Sequence, residues 1–260
     1  MSVLTFAKWI SEVAPEWILS LPEGLQRLIF QFFQVFVYEN RWKFFTDGLE
    51  TTFIVTIGAL VLGVIIGMIV ALIRSTHDST RGKPNFILRI LNAICKIYVT
   101  VLRGTPLMVQ LLIMGFVVMV PKTTTETLVC AIVTLGINSG AYVAEIARSG
   151  IMSIPAGQME AGRSLGLNFS QTMMSIILPQ AFKNILPALG NELIALLKET
   201  SLVTVIALQD VTKAAQVIQS KTYSAVVPYI SLAVIYLVLV MILTKLLGIL
   251  ERRLRESDKR

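Results

Sequence analysis

Charged and metal-capable side chains are scarce in this chain. Asp, Glu, Lys and Arg make up 15% of its 260 residues, against about 25% in a typical soluble domain. There is one histidine, His77, and there are two cysteines, Cys95 and Cys130, each in or beside an apolar stretch. None of them has paired-ligand spacing, which argues against a disulfide framework or a structural zinc site. No Gly-x4-Gly-Lys-Ser/Thr phosphate loop occurs in the sequence, so nucleotide binding of that kind is not expected here. A signal-peptide layout is also missing: Lys8 and Trp9 precede Glu12, Pro15 and Glu16 rather than an apolar core. His77 sits in a polar stretch without an accompanying His/Asp/Glu cluster. An integral-membrane enzyme would need such convergent groups, and that alternative is the weaker for it.

What the chain has is apolar surface. Hydrophobic residues make up 55% of it and its mean hydropathy is +0.73. A soluble core cannot bury that surplus, whereas a helix in lipid satisfies its own backbone polar groups. The expectation is an all-α membrane protein. Its net charge of +7 then reads as basic residues gathered on the cytoplasmic side rather than as nucleic-acid binding.

A spanning helix needs about 20 mostly apolar residues. Five stretches qualify: Leu49 to Ile73; Pro106 to Val120 extended backwards by Tyr98 to Leu102; Leu128 to Ala147; about Ile185 to Ala207; and Val226 to Leu250. Residues 74–105, 148–183 and 245–260 together hold 15 Lys/Arg against 5 Asp/Glu. The remaining connections, 1–50, 121–127 and 207–225, hold 7 against 8. The positive-inside rule makes the first set cytoplasmic, with the N-terminus out and the C-terminus in. The run Leu28 to Tyr38 is too short to span and contains Gln31 and Gln34. It predicts an interfacial helix, with Trp9, Trp17 and Trp42 near the headgroups. Three parts follow: an N-terminal extension, 1–45, periplasmic or interfacial; a transmembrane domain, 46–250; and a basic tail, 251–260, suited to lipid headgroups. In the first span Ala59, Gly63, Gly67 and Ala71 recur every fourth residue, a row that admits another helix closely.

The stretch at about 150–182 carries the strongest pattern. Pro155 and Gly157 break the chain, a short helix fits about Gln158 to Leu165, and Gly166 suits its C-cap. Asn168 or Ser170 could then cap a second helix. This is a helix–turn–helix knob on the cytoplasmic side. Glu160, Ala161, Gly166, Ile176, Leu178 and Pro179 fall in the register of the cytoplasmic signature of ABC-importer permeases, which the sequence here resembles. Gly162 stands where the signature has a second Ala, weakening the helix by up to about 1 kcal/mol. Arg103-Gly104-Thr105-Pro106-Leu107 with Val109-Gln110-Leu111, the run Gly140 to Ile151, and Leu197-Lys198-Glu199-Thr200-Ser201-Leu202 resemble the polar-amino-acid subfamily. That family more often has Asp at the Glu199 position. The resemblance covers roughly residues 48–250.

It implies a type I ABC importer permease with five transmembrane helices, located in the cytoplasmic (inner) membrane. Two permease chains, identical or paralogous, would surround a pathway. A cytoplasmic ATPase dimer would receive the knobs through Glu160, Ala161, Gly162, Arg163 and Gly166. An extracellular or periplasmic binding protein would deliver the amino acid. ATP and Mg would be bound by the ATPase and no cofactor by this chain. A permease for another small solute shares the knob; a self-sufficient channel would not explain it.

Ionisable and polar groups inside spans default to functional hypotheses. Asn138, Tyr142 and Glu145 form a polar stripe on the third span, and Thr51, Thr52 and Thr56 lie near the outer end of the first. On the fourth span Glu192 and Glu199 share one face, Asn191 and Lys198 another. Glu192 could take a substrate ammonium, with Asn191 or Asn138 satisfying the remainder; Tyr142 and Thr56 complete the candidate pathway. Lys198 and Glu199 read as gating or packing residues. Arg103, beside Gly104 and Pro106, reads as an anchor for the cytoplasmic end of the second span.

Overall fold

The repeat of small residues at 59–71 sets the centre of the molecule. In a computed structural model, which describes residues 4–80 and 84–257, this row lies on one long helix and meets another edge to edge. The described residues form twelve α-helices and no strand. Three short ones come first: α1 (Phe6–Glu12), α2 (Glu16–Leu19) and α3 (Glu23–Phe32). They are followed by α4 (Trp42–Ser79), α5 (Phe86–Gly104), α6 (Leu107–Ile113), α7 (Thr124–Met152), α8 (Ala156–Ser164) and α9 (Phe169–Thr172). The last three are α10 (Leu178–Glu199), α11 (Val211–Thr222) and α12 (Val226–Ser257).

Helices α4 and α7 are the packing axis. A Cβ on Gly67 would stand 2.6 Å from Val143 Cβ and 2.9 Å from the Ala144 nitrogen, so only hydrogen fits there. Near one end of this pair, Arg74 binds Glu145 and Arg148 binds Asp78 at 2.7 Å, two ion pairs crossing between the helices. Around the axis, Leu111, Leu135, Leu196 and Val203 bring α6 and α10 against one half. Ile151, Ile177, Ala181 and Ile185 bring α10 and the turn just before it against the other. Cys95 and Val99 of α5 pack on Val70, Ala141 and Ala144.

Helices α4, α7 and α12 are each long and apolar enough to cross a membrane; α5 with the segment after it would make a fourth if the bent pair counts as one span. Here the structure adds detail to the sequence reading. The second stretch, Pro106 to Val120 with Tyr98 to Leu102 before it, is bent: α5 and the helix through 107–118 meet at 105°. Pro106 offers no N–H and pushes Thr105 out of the helical region to φ −119°, ψ 145°. The fourth stretch also departs from a uniform helix. Pro187 sits inside α10, and beyond Glu199 the chain tightens into a 3₁₀ turn, Thr200–Ile206, ending at Ala207 with φ 63°.

Residues 4–40 make three short helices, and the run Leu28 to Tyr38 falls on α3 and the wider helical turn Phe33–Val37 that continues it. Trp9 is 2% exposed, enclosed by Leu4, Ile18 and Phe30 in a small aromatic core, while Trp17 and Trp42 are exposed. Val35 and Phe45 join this extension to α11 through Val211, Ala215 and Ile218. Cys95 and Cys130 are both buried and free. Of the basic tail, residues 258–260 lie outside the described residues.

Candidate functional site

Two places carry the residues singled out above, and the knob is the better defined. Helix α8 starts at Ala156 after Pro155, two residues earlier than expected, and is capped by Leu165. Gly166 follows at φ 86°, its N–H donating to the Arg163 carbonyl while the Leu167 N–H donates to the Gly162 carbonyl. This is a Schellman closure, and its left-handed residue is the glycine expected there. Asn168, not Ser170, caps α9: its Oδ1 accepts from the Gln171 N–H at 2.8 Å and the Gln171 side chain accepts from the Asn168 N–H.

The departure from the signature at Gly162 has a local reason. Gly162 is buried, and a Cβ there would lie 2.5 Å from Thr172 Cγ2 and 3.1 Å from Ile176 Cδ1. Thr172 is wholly buried and its hydroxyl donates to the Asn168 carbonyl. The missing methyl thus lets α8 lie directly on α9 and fixes the angle of the knob. Glu160, Ala161 and Arg163 are exposed on α8. Leu165 at its tip is 82% exposed. Sequence reasoning passed over that leucine because it was counted only as the end of a helix.

The second place is one turn of α7, residues 138–142, where groups from three other helices converge. Asn138 is 3% exposed, and its Nδ2 donates to Gln110 Oε1 at 2.9 Å and to the Leu102 carbonyl at 3.3 Å. Gln110 Nε2 in turn donates to Leu102 and Thr105, on the far side of the break before α6. A glutamine and an asparagine thereby replace the backbone bonds lost at Pro106. Ser139 Oγ donates to Glu192 Oε1 at 2.7 Å. The Arg103 guanidinium lies over the Tyr142 ring, 5.1 Å from its centroid.

The remaining candidates are placed differently. Thr56 is buried and donates to the Thr52 carbonyl of its own helix. Asn191 is exposed and donates to the Pro187 carbonyl. Lys198 is exposed and Glu199 half-buried, and no ion pair joins Lys198 to Glu192 or Glu199. Glu145 is drawn away from the polar stripe by Arg74. Arg103, Gln110 and Ser139 were not singled out as site residues. All three belong to this cluster, and the break at Pro106, visible in the sequence, was the signal that could have found them.

The profile of a family described as binding-protein-dependent transport system inner membrane component matches residues 82–256. The arginine transport system permease protein ArtQ of Bacillus subtilis (strain 168) is 39% identical over 217 residues, covering 83% of this chain and 94% of the relative. The L-cystine transport system permease protein TcyB of the same strain is 35% identical over 219 residues, 84% and 89% of the two chains. Among solved structures, a chain of an amino acid ABC transporter with histidines superposes with a TM-score of 0.71 at 41% identity, covering 81% of this chain and 94% of that one. A chain of the inward-facing MetNI methionine ABC transporter gives 0.68 at 20% identity, covering 84% and 99%, a likeness of fold alone.

Proposed function

The chain belongs to the family of binding-protein-dependent transport system inner membrane components, and from that premise we propose that it forms the translocation pathway of an ATP-driven importer for polar amino acids. Its place is the inner membrane. Names borne by relatives, arginine and L-cystine permeases among them, support the substrate class. In this reading five spans cross the membrane, with α10 and the bent α5–α6 pair added to α4, α7 and α12. The N-terminus lies outside and the C-terminus inside, as the basic residues of 74–105, 148–183 and 245–260 require. Residues 1–45 form the outer extension, 46–250 the permease domain with its coupling loop at about 150–182, and 251–260 a basic tail for lipid headgroups. A second permease chain, a cytoplasmic ATPase dimer holding ATP and Mg, and an extracellular or periplasmic binding protein complete the assembly.

The observation that carries this reading is the knob: a two-helix element, closed by Gly166 and packed through Gly162, that holds Glu160, Arg163 and Leu165 outward. ATP-driven closure of the ATPase dimer draws the two knobs together and rocks the helices between inward and outward states. Along the pathway, Glu192 with Ser139 receives the substrate ammonium or a cationic side chain, while Asn138, Tyr142, Asn191 and Thr56 line the route. Lys198 and Glu199 gate or brace it. The substitution Glu160→Lys tests the coupling. The chain is expected to stay folded and membrane-inserted, while co-purification of the ATPase or substrate-driven ATP hydrolysis falls at least about tenfold. An intact, fully coupled complex carrying that substitution contradicts the docking.

A further inference from the structure

Helix α5 presents three distinct faces. Asn92, Cys95 and Val99 are buried against α4 and α7. About a third of a turn away, Ile87, Ile90, Ile94, Ile97 and Val101 form an exposed apolar face, each 45–64% accessible. The third face holds Arg89, Lys96 and Arg103, seven residues apart, with Ala93 and Thr100 between them, and all five are exposed. Steps of seven residues stay within about 20° of one line and climb about 21 Å over the fourteen residues. Among the described residues none of the three cations has a carboxylate partner. The helix already has an apolar face for lipid. Arg89 and Lys96 belong to the basic stretch 74–105 that marks the cytoplasmic side, and Arg103 carries their row up to the break before α6.

The upper end of that row is the polar turn of α7. Arg103 lies over Tyr142, and Ser139, one turn away on the same face, holds Glu192. An acidic and a basic side chain are thus presented by different helices to one turn of α7, close to the exposed break at Gly104–Pro106. We propose that Arg103, held over Tyr142 at the α5–α6 break, binds the α-carboxylate of the transported amino acid. This rests on the amino-acid reading above and adds to it: Glu192 selects for a cation, Arg103 for the carboxylate that every α-amino acid shares. The guanidinium fork suits a carboxylate in two-point contact, and the Tyr142 ring keeps it extended without a competing acid.

The test is equilibrium binding to the purified permease–ATPase complex, without binding protein, in nanodiscs. The probes are L-arginine, L-glutamine and their α-amides, which lack the carboxylate. The wild-type complex is expected to prefer acid over amide by about tenfold or more. Arg103→Gln should abolish that preference, Arg103→Lys should restore part of it, and Lys96→Gln should leave it intact. Glu192→Gln should lower affinity for arginine and its amide alike. Retention of the preference in Arg103→Gln, or no preference in the wild type, overturns the proposal. Failure of the wild type to bind either amino acid contradicts the amino-acid reading instead. Nanodiscs of phosphatidylcholine, with and without phosphatidylglycerol, separate the other source of anions. If the effect of Arg103→Gln disappears when anionic lipid is removed, lipid phosphate is the partner and the assignment falls.

Discussion

Asp210 caps α11 from a fully buried position. Its Oδ1 accepts the Lys213 N–H at 2.8 Å, and the neighbouring Val211 N–H donates to Thr52 Oγ1 at 3.3 Å. Burial pushes its carboxyl above the usual 3.8, against the pull of hydrogen bonds from Lys213 and Thr212. A carboxyl whose folded pKa is raised binds its proton more tightly folded than unfolded. Stability is then gained as pH falls through the raised value towards 3.8, and is absent at neutral pH. Asn keeps the cap and removes the charge. Asp210→Asn should therefore melt a few degrees above wild type at pH 7.5, the gap closing as pH is lowered. A gap independent of pH, or a variant that melts lower at pH 7.5, contradicts this account. Nothing in the sequence marks Asp210 as buried; it sits in a polar connection whose closure over α4 is a tertiary event. Glu192 was legible, because a carboxylate in an apolar span demands explanation, but its Ser139 partner depended on where two helices cross.

At the scale of elements, the helices follow from apolar runs, and their ends follow from local chemistry. Gly166, Asn168 and Pro106 act within a few residues of themselves, so the knob was legible nearly to the residue. The 105° bend between α5 and α6 was not read, although Thr105–Pro106 encodes it. Apolar length alone had joined the pieces. The small-residue row of α4 is the clearest case of sequence becoming packing. Gly67→Ala should destabilise the complex by about 1–3 kcal/mol through overlap with Val143, despite the ~1 kcal/mol that alanine adds to helix propensity. Gly248→Ala on α12, where a Cβ meets nothing within 4 Å, should instead be neutral or stabilising. Thermal unfolding of the two variants checks the pair. Equal shifts in both would mean that close approach of α4 and α7 is not what Gly67 provides.

At the scale of the whole molecule, the chain has an all-helical core that matches its relatives over about four-fifths of its length. Its extension packs on itself and is tied to α4 and α11. Composition announced the membrane, and the knob announced the importer. The extension's own fold was hidden, because Trp9, Ile18 and Phe30 are far apart in sequence and carry no periodic signal. The central claim is that this chain couples a cytoplasmic ATPase to the passage of an amino acid. It is tested most directly by ATP hydrolysis of the reconstituted complex, with its binding protein, against a panel of L-amino acids. Stimulation several-fold by one or a few polar amino acids, lost in Glu160→Lys, is the result predicted here. An associated ATPase that responds to no amino acid would contradict the substrate class, and failure of any ATPase to associate would contradict the coupling itself.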